Sequence, residues 1–218
     1  MPPPEHSDAQ RLAQGASSLG VVLTADQSRA LLDYLALLTK WNRVYNLSAV
    51  RDPTAMLVQH VLDSLAVVGP LRRHALGGSA RVLDVGSGGG LPGVVLAIAM
   101  PELDVTCVDA VGKKTAFVRE VAGLLSLKNL HAVHARVESL SGRFDVIASR
   151  AFASLADFVA LTTPLGDTSS AWMAMKGKVP DAEIADLPAG FDVFHVEQLV
   201  VPGLGADRCL VWMRKTAS

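Results

Sequence analysis

The stretch that decides the fold is Val82-Leu83-Asp84-Val85-Gly86-Ser87-Gly88-Gly89-Gly90-Leu91-Pro92-Gly93. It reads as a buried strand running through glycines into a helix, with Pro92 placed to start that helix. Glycines at such a turn let the backbone take positive φ and let a ligand approach closely. Gly88-x-Gly90-x-x-Gly93 also satisfies the dinucleotide pattern, so the glycines alone do not choose between a nicotinamide cofactor and S-adenosylmethionine. Asp84 discriminates between them. A carboxylate just upstream of the turn would repel a pyrophosphate, whereas the methionine end of S-adenosylmethionine carries an ammonium and a sulfonium.

Outward from this turn, short β-branched runs alternate with amphipathic stretches. The expected strands are Arg81 to Val85, Asp104 to Asp109, Leu130 to His134, Phe144 to Ser149, Ala171 to Lys176, Phe191 to Val201 and Arg208 to Arg214. Helices are expected around Pro92 to Met100, Lys113 to Leu125, a short piece near Val137, and Leu155 to Pro164. This alternation implies a parallel sheet covered on both faces, and the last two strands an antiparallel hairpin at its edge. The second strand ends in Asp109, where a carboxylate can accept hydrogen bonds from both ribose hydroxyls. Val137 and Glu138 follow the third strand, placed to line an adenine pocket. The fourth ends in Ser149-Arg150, beside the point where strand order should reverse, which is where open sheets bind ligands. Each feature has a plainer reading: a structural glycine turn, a solvated strand end at Asp109, a helix cap at Glu138. Their joint appearance at successive strand ends favours a cofactor site.

Upstream the chain reads as helices. Thr24-Ala25-Asp26-Gln27 has the form of a capping box, and Leu31, Leu32, Leu35 and Leu38 then follow one face, predicting a helix from about Ala25 to Lys40. Asp52-Pro53 opens a second helix, which Pro70 is expected to end. Gly77-Gly78-Ser79 is a turn. The expected layout is a partly disordered lead over 1–20, a helical cap over 21–78 and a catalytic domain over 79–218. The chain has 218 residues, half of them hydrophobic, 19% charged, with a net charge of −1. This composition folds, and no apolar run approaches the roughly 20 residues that span a bilayer. Two cysteines without a metal-type spacing fit a reducing cytoplasm and no metal site. The net charge decides nothing about nucleic acid, because phosphate affinity follows local clusters of Lys and Arg.

Methyl acceptors differ in the help they need. Exocyclic amines are usually handled by an Asn/Asp-Pro-Pro-aromatic motif after the fourth strand, where this chain has Ser149-Arg150-Ala151-Phe152. Pyrimidine C5 chemistry needs an activated cysteine, yet Cys107 falls inside a strand and Cys209 in the terminal hairpin. A ring nitrogen such as guanine N7 has a lone pair and no proton to remove, so it needs positioning and no general base.

The chain resembles the bacterial 16S ribosomal RNA guanine-N7 methyltransferases, the RsmG or glucose-inhibited division protein B family, from about Leu31 to Arg214. The resemblance rests on Lys40-Trp41-Asn42-Arg43-Val44-Tyr45-Asn46-Leu47, Arg51-Asp52-Pro53, His60-Val61-Leu62-Asp63-Ser64, Asp84 to Gly93, Arg136-Val137-Glu138 and Ser149-Arg150-Ala151-Phe152-Ala153-Ser154-Leu155. It implies an α/β, Rossmann-like, seven-stranded S-adenosylmethionine-dependent methyltransferase sheet with an N-terminal helical cap. It also implies a guanosine in 16S ribosomal RNA, presented as RNA or as a small-subunit assembly particle, as substrate of a cytoplasmic monomer with no membrane partner. Its cofactor contacts carry over to Gly86, Leu91, Val137, Glu138 and Arg150, joined by Asp84, Gly88 and Asp109 from the reading above.

Lys113, Lys114, Arg136 and Lys176 match basic positions of the family at or just beyond strand ends, and a phosphate grip follows from that placement. The plainer reading is that Lys113 and Lys114 are a solvated helix start. Asn42, Asn46, His60 and Asp63 match motifs of the cap. His60 and Asp63 are three apart, so a His–Asp hydrogen bond competes with RNA contact. Trp41 and Tyr45 can stack on a base, with core packing the safer reading. The chain departs from the family in lacking a proline at the fourth place of the glycine turn, and in Lys114 where arginine is frequent. Two rivals stay open: a small-molecule methyltransferase, and a non-catalytic RNA-binding module that retains the sheet. A nicotinamide oxidoreductase ranks last.

Overall fold

A computed structural model describes residues 7–74 and 79–216. The expected turn at Gly77-Gly78 and the first six residues of the expected lead lie outside them. The sheet runs β1 Arg81–Val85, β2 Asp104–Asp109, β3 Leu130–His134, β4 Val146–Arg150, β5 Ala171–Lys176, β6 Phe191–Leu199 and β7 Arg208–Lys215. In space the order is β3-β2-β1-β4-β5-β7-β6. β1 to β5 are parallel, and β1 pairs with both β2 and β4, so strand order reverses at β1. β7 is antiparallel to β5 and to β6. The hairpin is therefore at the edge, with its second strand inserted next to β5.

The helices are α1 Asp8–Ser18, α2 Ala25–Tyr45, α3 Pro53–Met56, α4 Asp63–Leu65, α5 Val68–His74, α6 Gly93–Ala99, α7 Gly112–Leu124, α8 Leu155–Thr162 and α9 Asp181–Ala185. A π-helical segment, Leu57–Leu62, joins α3 to α4. α1 corrects the expected lead: Ser7 and Gln10 form a reciprocal capping box, and Leu12 and Ala16 are buried one turn apart. Pro70 also corrects its expected role. It lies in the first turn of α5, where a missing N–H breaks no intrahelical bond. The helix of Pro92 begins one residue later, at Gly93.

The whole run Thr54–His74 is long and apolar enough by length and composition to cross a membrane, although no uninterrupted apolar stretch of that length exists in the sequence. Of its most apolar window, 72% is buried inside the protein. It is a core element. Leu38, Val61, Leu65, Val95 and Val105 belong to one apolar cluster that joins the N-terminal helices to α6 and one face of the sheet. Leu83, Ile147, Phe158 and Trp172 form a second cluster on the other face, under α8. The cap thus shares its core with the sheet. It also grips the glycine turn: Tyr34 of α2 donates from its buried hydroxyl to Gly89 O at 2.8 Å. Gln27 Nε2 donates to Ile98 O and Ala99 O, satisfying carbonyls at the end of α6.

Candidate active site

The glycine turn is shaped by β2. Gly86 N and Ser87 N donate to Val108 O at 2.9 and 3.1 Å, which pins the turn over the second strand. Asp109 then receives Gly88 N on Oδ2 at 3.0 Å and Val111 N on Oδ1 at 2.8 Å, fixing that carboxylate in the cavity wall. Gly86 takes φ of +66°, and a Cβ there would stand 2.7 Å from the Phe152 ring. At Gly93 a Cβ would meet Cys107 Sγ at 2.4 Å and Asp84 Oδ2 at 2.8 Å, so only glycine lets α6 lie this close to the strands.

Asp84 stands behind the turn and lines neither of the cavities described below. It is fully buried; Oδ2 accepts from Gly93 N at 2.8 Å, and Oδ1 has no partner. Burial pushes its carboxyl up to about 7, against the opposing pull of the Gly93 amide and of Arg150. Ser87 Oγ is likewise buried without a partner. Asp84, expected beside the cofactor's positive end, is a buried anchor beneath the turn, and its carboxyl gives up its proton only near neutrality.

Two cavities open at the carboxyl edge of the sheet. One, of about 370 Å³, is lined by Asp109, Lys114, Arg136, Val137, Glu138 and Phe152, among others. Val137 is buried in a single 3₁₀ turn, while Arg136 and Glu138 are exposed at the rim. Lys114 Nζ lies 3.6 Å from Asp109 Oδ2, and Lys113, its neighbour, is exposed and lines neither cavity. The other cavity, about 550 Å³, includes Gly88, Leu91, Ser48, His60, Arg150 and Arg208 in its wall. The two share Gly86 and Ala151. Ala151 holds φ of +52°, a left-handed backbone uncommon for a residue with a Cβ.

The larger cavity is organised by Asp63. Its carboxylate, 1% exposed, accepts from Arg150 NH1 on Oδ2 at 3.1 Å and from Arg208 Nε on Oδ1 at 2.8 Å. Arg150 NH1 also donates to Gln59 O at 2.9 Å. His60 turns elsewhere: its Nε2 pairs with Ser48 Oγ at 2.7 Å, and its Nδ1 is buried without a partner. The His60–Asp63 hydrogen bond, one of the two readings of their spacing, is absent. His60 lies within the π-helical segment and Asp63 just past its end, and the wider i→i+5 turn rotates less per residue, so positions three apart no longer stack. Burial, aided by Arg150, lowers His60 to about 4, which keeps the imidazole neutral at pH 7.

Asn42 shapes this wall from below, donating to Val50 O and accepting from Ser48 N. Asn46 takes φ of +51° to end α2, and its side chain accepts from Arg51. Trp41 packs on Phe117 at 5.5 Å and donates to Glu120, which ties α2 to α7, while Tyr45 beside it is 41% exposed. Lys176 lines the cavity, yet its ammonium is held by both oxygens of Glu183, at 3.2 and 2.8 Å, and by Ala153 O. Glu183 Oε2 also accepts from Leu155 N, so this pair pins the segment after β4. Both cysteines are buried free thiols, and burial pushes each thiol up, away from thiolate chemistry.

Sequence reasoning missed Arg208, Ser48, Tyr34 and Glu183. Arg208 carried one available signal, its place at the start of the last strand: insertion of β7 beside β5 pairs Lys176 with Cys209 and so delivers Arg208 to the carboxyl edge.

The residues fit S-adenosylmethionine. A glycine-built turn, a buried acid beneath it with an unpartnered oxygen, a second acid at the end of β2 and a cavity on either side of Gly86 suit a cationic sulfonium flanked by a ribose. With the β3-β2-β1-β4-β5-β7-β6 sheet, they define an S-adenosylmethionine-dependent methyltransferase. Among solved structures, the 1,6-didemethyltoxoflavin-N1-methyltransferase of Burkholderia thailandensis, with bound S-adenosylhomocysteine, superposes with a TM-score of 0.59 at 18% identity, covering 85% of this chain and 90% of that one. TrmN from Thermus thermophilus gives 0.56 at 19% identity, over 73% of this chain and 53% of its own.

The family described as GidB, rRNA small subunit methyltransferase G, matches residues 27–211, and the chain belongs to that family. It is 59% identical to the ribosomal RNA small subunit methyltransferase G of Acidovorax ebreus (strain TPSY), over 94% of this chain and 95% of the relative. Against the protein of the same name from Bordetella avium (strain 197N) it is 55% identical, over 98% and 96%.

Proposed function

We propose that this chain transfers a methyl group from S-adenosylmethionine to N7 of a guanine in 16S ribosomal RNA, by direct in-line displacement. The observation that carries the reading is the larger cavity beside the glycine turn, where two arginines share one buried carboxylate. The cofactor, when bound, supplies a methyl group on a positively charged sulfur. Gly86, Gly88, Leu91, Val137, Glu138, Asp109 and Arg150 hold it, with Asp84 acting through the turn. Arg150 and Arg208 face the same mouth, pre-oriented on Asp63, and their remaining N–H groups suit guanine oxygen or phosphate. His60 is neutral and engaged by Ser48, and Lys176 is engaged by Glu183, so neither takes a proton. None needs to be taken, because N7 offers a lone pair and the product ring keeps the positive charge.

Lys113, Lys114 and Arg136 stand on the rim of the smaller cavity or next to it and are assigned to the RNA backbone. Lys176 is assigned a supporting role through Glu183. We place the protein in the cytoplasm as a monomer, acting on ribosomal RNA or on a small-subunit assembly particle. The test incubates purified protein with tritiated cofactor and either 16S ribosomal RNA or a pool of small metabolites, then maps the labelled base. Label at a guanine N7 is expected; label confined to metabolites, or on an exocyclic amine, overturns the reading.

A further inference from the structure

Outside the cleft, three metal-type ligands meet where α5 ends beside edge strand β6. His195 and Glu197 stand two apart on β6, so the pleat brings both to one face. His74 closes the last turn of α5. The ligand atoms of all three lie within 4.8 Å of one another. His74 Nε2 is 3.6 Å and His195 Nε2 4.0 Å from the same oxygen, Glu197 Oε1. Both separations exceed a hydrogen bond. Both lie close to the roughly 3.4 Å that separates two ligand atoms on a tetrahedral zinc holding imidazole nitrogen and carboxylate oxygen at about 2.0–2.2 Å, so small side-chain shifts close the set on one ion.

The surroundings orient that oxygen. Arg73 NH2 donates to Glu197 Oε2 at 2.7 Å, and Trp212 Nε1 donates to Oε1 at 3.2 Å, which leaves Oε1 a second lone pair for an ion. The two imidazole rings lie 4.5 Å apart, His74 resting 5.4 Å from the Trp212 ring. The side chains of His74, Glu197 and His195 are 24%, 16% and 40% exposed, which admits an ion and a water as fourth ligand. A cation there also sits at the carbonyl end of the Thr54–His74 helical run, the negative end of its dipole.

We propose that His74, His195 and Glu197 form a zinc-type divalent metal site that clips edge strand β6 to the end of α5. Two imidazoles and one carboxylate suit zinc and its borderline neighbours over magnesium or calcium. An ion that binds only the folded protein raises its stability and fastens the strand that supports β7.

The experiment uses the full chain, stripped with a chelator and titrated with zinc chloride by calorimetry, with cobalt(II) absorption as a reporter of the ligand set. One equivalent of zinc should bind, cobalt should give d–d bands of an imidazole-carboxylate site, and zinc but not magnesium should raise Tm. His195→Ala, at the most exposed ligand, should weaken zinc roughly tenfold or more and erase the cobalt bands. Glu197→Gln should do the same while keeping side-chain shape. His131→Ala, which removes the exposed His131–Asp104 pair, should leave all three readouts unchanged. Zinc uptake unaltered in His195→Ala and Glu197→Gln, loss of it in His131→Ala, or no uptake by the parent protein overturns the site.

Discussion

The two walls of the cleft are built in different ways. The glycine-turn wall comes from one contiguous stretch, Asp84 to Gly93, and the end of β2, with backbone amides doing most of the shaping. The opposite wall is made of side chains from separate segments: Ser48, His60, Asp63, Arg150 and Arg208, the last bonded to a carboxylate 145 positions away. A backbone-built site is robust to side-chain exchange and intolerant of added volume. A side-chain site converging on one carboxylate should behave the other way, failing when that carboxylate is lost.

Asp63→Ala strikes this difference hardest. It removes the shared partner of two arginines whose side chains are only 21% and 26% exposed. Losing one member of a buried ionic group leaves charge uncompensated, and about 2–4 kcal/mol of stability should go with it. Urea unfolding measures the loss, and methylation of 16S ribosomal RNA should collapse even under conditions where the protein stays folded. Stability within 1 kcal/mol of the parent (about 1, the size of an exposed pair) would show that Asp63 is no hub.

On the turn side the matching change is Gly93→Ala. The added methyl would enter 2.4 Å from Cys107 Sγ and 2.8 Å from Asp84 Oδ2, inside any real contact distance. Overpacking of this kind costs about 1–3 kcal/mol. Because Gly93 N also anchors Asp84, calorimetric affinity for S-adenosylhomocysteine should fall as well. Unchanged affinity would detach the anchor from cofactor binding.

The walls should also respond oppositely to pH. Asp84 titrates near 7 in the folded protein and near 3.8 unfolded, so between those values the native state holds the extra proton and stability falls as pH rises. His60 is the reverse: its folded value of about 4 lies below the unfolded 6.5, so stability rises with pH through that window and is lost as pH falls toward 4. Going from pH 5 to pH 8, Asp84→Asn should therefore lose less stability than the parent, and His60→Asn more, each by about 1–2 kcal/mol. Denaturant unfolding at both pH values decides; shifts of the same sign in the two variants would refute the paired assignment.

The same contrast explains what could be read from the amino acids. Strand alternation, the glycine turn and the acid at the end of each of the first two strands are local patterns, and the seven-stranded sheet followed from them. α1 escaped because its apolar contribution is confined to a short stripe around Leu12 and Ala16 behind the Ser7 box. The spacing of His60 and Asp63 left their contacts open because a π-helical segment resets face geometry without any composition signal. Arg208 could not be placed until β7 was known to lie between β5 and β6. Lys176 looked like a free cation because Glu183, its partner, sits in a five-residue helix too short to show periodicity.

The finest test of the comparison is at adjacent lysines. Lys114 faces the smaller cavity and keeps Asp109 company at 3.6 Å, whereas Lys113 is exposed and points to neither cavity. A phosphate contact removes about one unit from the slope of log affinity against log salt when it is deleted. Lys113→Ala should therefore lower the RNA salt slope by about one and leave S-adenosylhomocysteine affinity unchanged. Lys114 already spends part of its charge on Asp109, so Lys114→Ala should change the slope less and the cofactor affinity more, though by no more than the small amount a partly exposed pair supplies. A salt slope unmoved by Lys113→Ala would make that residue a solvated helix start, and would confine the RNA grip to the side of the cleft that carries Arg150 and Arg208.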